Sequence, residues 1–273
     1  MQNDTPLPNT DRLSIISASI MLAFAFTRLV QFTTETFTLA SFGIVMSFQI
    51  NFGTIITVIT AILAVAGMDW LIQSHPHKDQ FKSYWSHLRH WIIPVLTALV
   101  IGVTLNTFAT GPVWWVVFVL GSLLLMAVLV AEYIVIAPDN VWHPLATICL
   151  TGLSFALYLL LSFAVFSANL RLFFRLPILG IGALMVISRT LYLRLGSWHL
   201  FWSLVISLIV SEIVIGFHYL PLLPVQLSLL LVGATYALSS VVTAIIESRK
   251  NWAFWGEPVV MFVLMIIVGV IWS

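Results

Sequence analysis

VWWVVFVLGSLLLMAVLVAEYIVI, residues 113–136, decides the fold, because Glu132 is its one charged side chain. At about 1.5 Å of rise per residue, a helix of that length reaches across the hydrocarbon of a bilayer. The run is one of many. Predominantly apolar stretches of roughly twenty residues lie on both sides of it. They predict spans over 13–33, 52–73, 90–110, 113–136, 144–167, 173–193, 199–219, 224–246 and 254–272. A backbone surrounded by lipid must satisfy its own hydrogen bonds, and these runs far exceed the roughly ten-residue strands of a membrane barrel. The expected fold class is therefore all-α: a polytopic transmembrane helical bundle of about nine spans. A short polar segment over 1–12 precedes a single helical domain over 13–273.

Composition points the same way. With 61% hydrophobic residues, 8% charged residues and a mean hydropathy of +1.09, the chain cannot coat a folded domain in solvated side chains. Cys149 is the only cysteine, which excludes an intrachain disulfide, a CxxC redox pair and a multi-thiolate metal site. A net charge of +1, spread over several connections, makes no basic strip for nucleic acid. The partners left are membrane lipids, a second copy of the chain or other membrane subunits. The chain has no P-loop, no GxSxG elbow, no HExxH pair, no aspartate-rich prenyl-diphosphate motif and no lysine within a span to hold retinal. No cofactor is assigned.

Basic residues favour cytoplasmic connections, and their placement orients the spans. With the N-terminus inside, Arg12, Lys78, Lys82, Arg89, Arg189, Arg194, Arg249 and Lys250 fall on the cytoplasmic side, against Arg171 and Arg175 outside. Eight against two predicts N-in and C-out. The first run follows Asp4 and Asp11 and lacks a small-residue cleavage site, so it reads as a retained helix rather than a signal peptide. Two segments stand apart from the spans. FTLASFGIVMSFQINF, residues 37–52, is apolar but short, and is expected to cap the first hairpin at the interface, re-enter the bundle or lengthen a tilted second helix. Over about 79–91, Phe81, Tyr84, Trp85, Leu88 and Trp91 share one helical face, the pattern of an interfacial amphipathic helix. On that wheel His90 lies opposite the apolar stripe and His87 at its edge, both towards water.

Three constellations carry chemistry. The first is histidine: His75, His77, His87, His90, His143 and His199 crowd one side, with Asp69, Glu132 and Asp139 at similar depth. His75, His77, His87, His90 and His143 are the ligand set for a metal, under the reading of a lipid-directed membrane enzyme. The HxxxH and HxxHH boxes of membrane desaturases are absent. The second is the deep pair of charges Arg28 and Glu212, each about 20 Å from the cytoplasmic face along its helix. They could pair as an ion pair that locks two helices together, or form a binding or proton-carrying site in the outer half of the bundle. The third is a set of small polar stripes at helical spacing: Thr151, Ser154 and Tyr158 in the fifth span, Ser203, Ser207 and Ser211 in the seventh, and Thr235, Ser239 and Thr243 in the eighth. Ser and Thr let helices approach and hydrogen-bond across the contact, or line a hydrated path. By contrast Gly53, Thr57, Ala61, Ala64 and Met68 in the second span make a surface for tight packing alone. At the outer face, Arg171, Arg175 and the turn His218-Tyr219-Leu220-Pro221 compose a mouth suited to an anionic lipid head or small anion.

Gly67-Met68-Asp69-Trp70, Ser74-His75-Pro76 and His218-Tyr219-Leu220-Pro221, together with the layout of spans, resemble an uncharacterised group of bacterial polytopic membrane proteins. The resemblance implies a bacterial cytoplasmic membrane and brings no activity or substrate. The functional expectation is thus a non-enzymatic protein that binds or moves a small or lipidic molecule among helices five, seven and eight. The alternatives are the histidine-metal enzyme and a structural subunit of a membrane complex.

Overall fold

The computed structural model describes residues 8–29, 35–41, 44–50, 52–76, 84–107, 111–138, 140–168 and 170–247, with a few positions beyond 255. Among them are eight helices long and apolar enough to cross a membrane. They are α1 (Thr10–Leu29), α2 (Phe52–Gln73), α3 (Tyr84–Thr107), α4 (Pro112–Val135), α5 (His143–Ser167), α6 (Leu172–Leu195), α7 (Leu200–His218) and α8 (Pro224–Ile246). The run at 254–272, expected as a ninth span, lies largely outside the described residues, as do His77, Lys78, Lys82, Asp139, Arg249 and Lys250.

The described fold is helical except for one antiparallel ribbon. Residues 37–52 do not extend the second helix, which starts at Phe52. Instead β1 (Glu35–Ser41) pairs with β2 (Ile44–Ile50), in a register that sets Phe37 against Phe48 and Leu39 against Met46. The reason is local. TFTLAS and IVMSFQI alternate apolar and polar residues and are rich in aromatic and β-branched types, a period of two that suits a strand and not a helix. A second difference lies at 79–91. Helix runs without a break from Tyr84 to Thr107, so residues 84–91 are the first two turns of α3 and not a separate element.

The helices sort into two compact units, Met1–His143 and Pro144–Ser273, where the sequence reads as one domain over 13–273. In the first unit α1 to α4 are joined in sequence order, each packing on the next, and α1 also meets α4. Its core holds Ile20 and Phe24 of α1, Met68 and Leu71 of α2, Ile101 of α3 and Leu129 of α4. Close approach of α2 and α3 depends on Gly102. A Cβ there would fall 2.5 Å from the Cγ2 and Oγ1 of Thr57, and the same seam is tied by Asn106 Nδ2 donating to Thr57 Oγ1 at 3.2 Å. The α2 face with Thr57, Ala61, Ala64 and Met68 is buried. α4 begins where Gly111, at φ +95°, turns the chain into Pro112, whose missing N–H is no loss in a first helical turn.

In the second unit α6 is the central helix, packed on α7 and α8 and touching α5 at Gly182. A Cβ at Gly182 would meet Leu161 Cδ2 at 2.8 Å, and one at Gly180 would meet Ser211 Oγ of α7 at 2.8 Å. Small residues at such seams replace the hydrophobic driving force that lipid removes, since they bring backbones close enough for dispersion contacts. Phe155 of α5 and Tyr236 of α8 close the group, ring edge to ring face at 5.2 Å. α6 ends at Gly196, whose φ of +70° and amide bond to the Tyr192 carbonyl form a left-handed cap.

Candidate functional site

Apart from Arg28 in the last turn of α1, the first unit gathers the described ionisable side chains of its helices at one end, where α2 and α4 finish and α1 and α3 begin. Helix α3 presents two histidines three residues apart, about 60° apart around its axis, and each reaches a different neighbour. His87 Nδ1 lies 2.7 Å from Asp69 Oδ1 on α2, and Gln73 Nε2 donates to the other oxygen of Asp69 at 2.7 Å. His90 Nδ1 lies 2.9 Å from Glu132 Oε2 on α4. The two pairs differ in burial. His87 and Asp69 keep 16% and 23% of their side-chain surface, whereas His90 and Glu132 keep 2% and 0%.

Arg89 adds a third member to the sealed pair, donating from Nε to His90 Nε2 at 3.2 Å. An imidazole that accepts at Nε2 carries its proton on Nδ1, so the hydrogen bonds assign His90 as the neutral tautomer that donates to the Glu132 carboxylate. A proton arriving at Nε2 has to displace Arg89. The three side chains grade inward, from half-buried Arg89 through His90 to fully buried Glu132. Pro94, one turn along α3, removes the N–H that would bond the His90 carbonyl and so loosens the helix at this point.

The surroundings fix the cluster. His75, just past α2, is buried against the Tyr133 ring at 4.5 Å, beside Glu132 in sequence. Arg12 of α1 lies 5.2 Å from the centre of the Trp70 ring and donates to the Trp70 carbonyl at 3.3 Å, a cation at the C-terminal turn of α2. His90, read from its own helix as facing water, is therefore an interior residue, and the correction comes from α4: the wheel of one helix cannot show which neighbour covers it. Among the described residues no three His, Cys, Asp or Glu side chains gather as a metal-binding group. His75, His87 and His90 go to separate partners, and His143, half-buried, opens α5 with its amide on the Asn140 carbonyl.

The second unit holds the polar stripes. Ser154, Tyr158, Ser203, Ser207, Thr235, Ser239 and Thr243 are buried, and Thr151 and Ser211 are half-buried. Most of the hydroxyls are engaged within their own helix: Thr151 with Thr147 O, Ser154 with Leu150 O, Ser203 with His199 O, Ser211 with Ser207 O, Thr235 with Leu231 O, Ser239 with Tyr236 O and Thr243 with Ser239 O. Two cross to backbone carbonyls of α6, and the Tyr158 hydroxyl also bonds the Thr235 side chain of α8. Tyr158 donates to the Leu179 carbonyl at 3.1 Å and Ser207 to the Gly180 carbonyl at 2.7 Å. The two bonds to α6 suit packing between helices, and a solute passing along these hydroxyls would have to replace bonds they already make. Arg28, in the last turn of α1, and Glu212, on α7, are each exposed.

Two arginines are buried, which the sequence reading did not anticipate: it placed Arg189 at a cytoplasmic helix end and Arg175 in the outer mouth. Arg189 of α6 is 0% exposed, with its guanidinium 5.6 Å from the Tyr192 ring centre. Arg175, in the first turn of the same helix, is 8% exposed. Their signal in the sequence is depth: Arg189 lies six residues, about 9 Å, inside the end of its helix.

Eight apolar helices of spanning length mark an integral membrane protein. Within that class, the chain belongs to the family described as Protein of unknown function (DUF5656), whose family model matches residues 32–272. That match takes in the ribbon and α2 to α8, and so both members of each histidine-carboxylate pair. No curated protein and no solved structure matches the chain.

Proposed function

We propose that this protein conducts protons through the end of the first unit where Arg89, His90 and Glu132 meet. The observation that supports this reading is the graded chain from half-buried Arg89 to the fully buried carboxylate of Glu132. A carboxylate sealed among apolar helices is costly, and a purely structural bolt needs no ionisable group. A histidine in line with it supplies the group whose ordinary range of titration lies nearest neutrality. The basic residues at this end, Arg12 and Arg89, support a cytoplasmic placement. The Ser and Thr stripes of α5, α7 and α8 serve in this reading as the packing that holds the second unit together.

Purified protein in liposomes loaded with a pH-sensitive dye tests the proposal, with valinomycin and potassium clamping the voltage. After an external acid step, wild-type vesicles are expected to acidify at least tenfold faster than protein-free ones. Glu132→Gln keeps an acceptor for the His90 Nδ1 proton, and with it the fold, and is expected to return the rate to the protein-free level. Equal rates in wild-type and protein-free vesicles, or in wild type and E132Q, would overturn the reading.

A further inference from the structure

We infer that the first turn of α6 holds a phosphate-type oxyanion, with Arg175 as its anchor. Arg175 is buried in the second unit, in a place where three helix ends converge. Its guanidinium lies 5.1 Å from the centre of the Phe166 ring on α5, and its Nη1 is 3.4 Å from His218 Nδ1 at the end of α7. The contact to His218 is long and its acceptor neutral, so it offsets little of the charge. Arg175 Nε is buried and makes no hydrogen bond. Glu212 and Glu247 are the carboxylates among the described residues of this unit, and neither forms an ion pair with it; Glu247 caps the far end of α8. Arg175 thus carries its charge at 8% exposure with no carboxylate paired to it, an arrangement that a bound anion would compensate.

The backbone at the same place is built to receive one. The amides of Phe174 and Arg175 both return to the Arg171 carbonyl, which leaves the amides of Leu172 and Phe173 at the positive end of a helix of 24 residues. Arg171, the N-cap, is exposed and its side chain makes no capping bond, so a second guanidinium stands at the mouth. Two arginines and a helix N-terminus, with a histidine alongside, compose a recognised chemistry for tetrahedral oxyanions, since guanidinium forks bind paired oxygens. A phospholipid headgroup and free inorganic phosphate share that chemistry. This site is separate from Arg89, His90 and Glu132, and it stands whether or not protons move there.

The test uses the full chain in a non-ionic detergent and reads thermal unfolding and ligand retention by native mass spectrometry. The probes are inorganic phosphate, dihexanoyl phosphatidylglycerol below its micellar concentration, and dihexanoylglycerol, which lacks the phosphate. Phosphatidylglycerol or phosphate is expected to bind and to raise the unfolding temperature, dihexanoylglycerol is not, and Arg175→Gln is expected to weaken the binding at least tenfold. Binding of the lipid alone identifies a headgroup as the source, and binding of phosphate as well identifies a small-anion site. Arg171→Gln, at an exposed position, gives a second variant should R175Q not fold, with a weakening of several-fold expected. Dihexanoylglycerol binding as tightly as phosphatidylglycerol, no binding of either phosphate probe, or unchanged affinity in the variants would overturn the inference.

Discussion

Breaking the pair between His90 and Glu132 should cost the first unit more than breaking any other side-chain contact in it. The two groups meet at 2.9 Å with 2% and 0% of their side-chain surface exposed, so neither can turn to water when its partner is lost. Losing a hydrogen bond to a buried charged group costs about 1.5–3 kcal/mol, because the Glu132 carboxylate keeps its desolvation and loses the His90 donor. A hydrogen bond between neutral groups on membrane helices averages only about 0.6 kcal/mol and reaches about 1.7 at most. The two magnitudes are far enough apart to decide which kind of contact this is. His90→Ala, Glu132→Ala and the double variant complete a thermodynamic cycle, in which the cavity left by each truncation cancels and the coupling remains. Each single change is expected to destabilise by at least about 1.5–3 kcal/mol, and the double by less than their sum, with a coupling above about 1.7 kcal/mol. Glu132→Gln, which keeps the acceptor and drops the charge, should cost about 1–2 kcal/mol, the difference between charged and neutral hydrogen bonds. Reversible unfolding in mixed micelles, followed by circular dichroism, measures all four. A coupling at or below about 0.6 kcal/mol would make this an ordinary neutral contact and remove the reason for regarding it as a charge-handling site.

Asp69→Asn should cost no more than about 1 kcal/mol in the same unfolding experiment, because His87 and Asp69 keep enough exposure for water to replace what is lost; a loss equal to that of E132A would refute the contrast drawn from burial. In the second unit, Ser207→Ala removes a bond between α7 and the Gly180 carbonyl and should cost about 0.6 kcal/mol, up to about 1.7, whereas Ser203→Ala removes a bond within α7 and should be close to neutral. Equal effects would show that the hydroxyls matter in some way other than crossing to α6. Gly102→Ala sets a methyl group against Thr57 and should destabilise by about 1–3 kcal/mol; a stability unchanged from wild type would mean that the α2–α3 seam can open without penalty.

The spans with marked ends were the most legible part of the sequence. Pro112 behind Gly111, Pro224 after a compact turn and Gly196 with its left-handed cap bound α4, α8 and α6, and for each the apolar run and the helix coincide to within two residues. The ribbon was not legible to the same reading, because a hydropathy window averages over a period of two and reports TFTLASFGIVMSFQIN only as moderately apolar. The facing of side chains was not legible for a different reason. Depth along a helix follows from counting residues, but the side of the helix a residue faces means nothing until its neighbour is known. His90 needed Glu132, 42 residues away, to become an interior residue. The same distinction bears on orientation. Arg175 and Arg189 entered the count of basic residues by their depth alone, yet both are buried within the second unit, where a cation answers to its neighbours and not to a side of the membrane. Leaving them out turns eight against two into seven against one: Arg12, Lys78, Lys82, Arg89, Arg194, Arg249 and Lys250 against Arg171. Burial thus removes one residue from each side of the count.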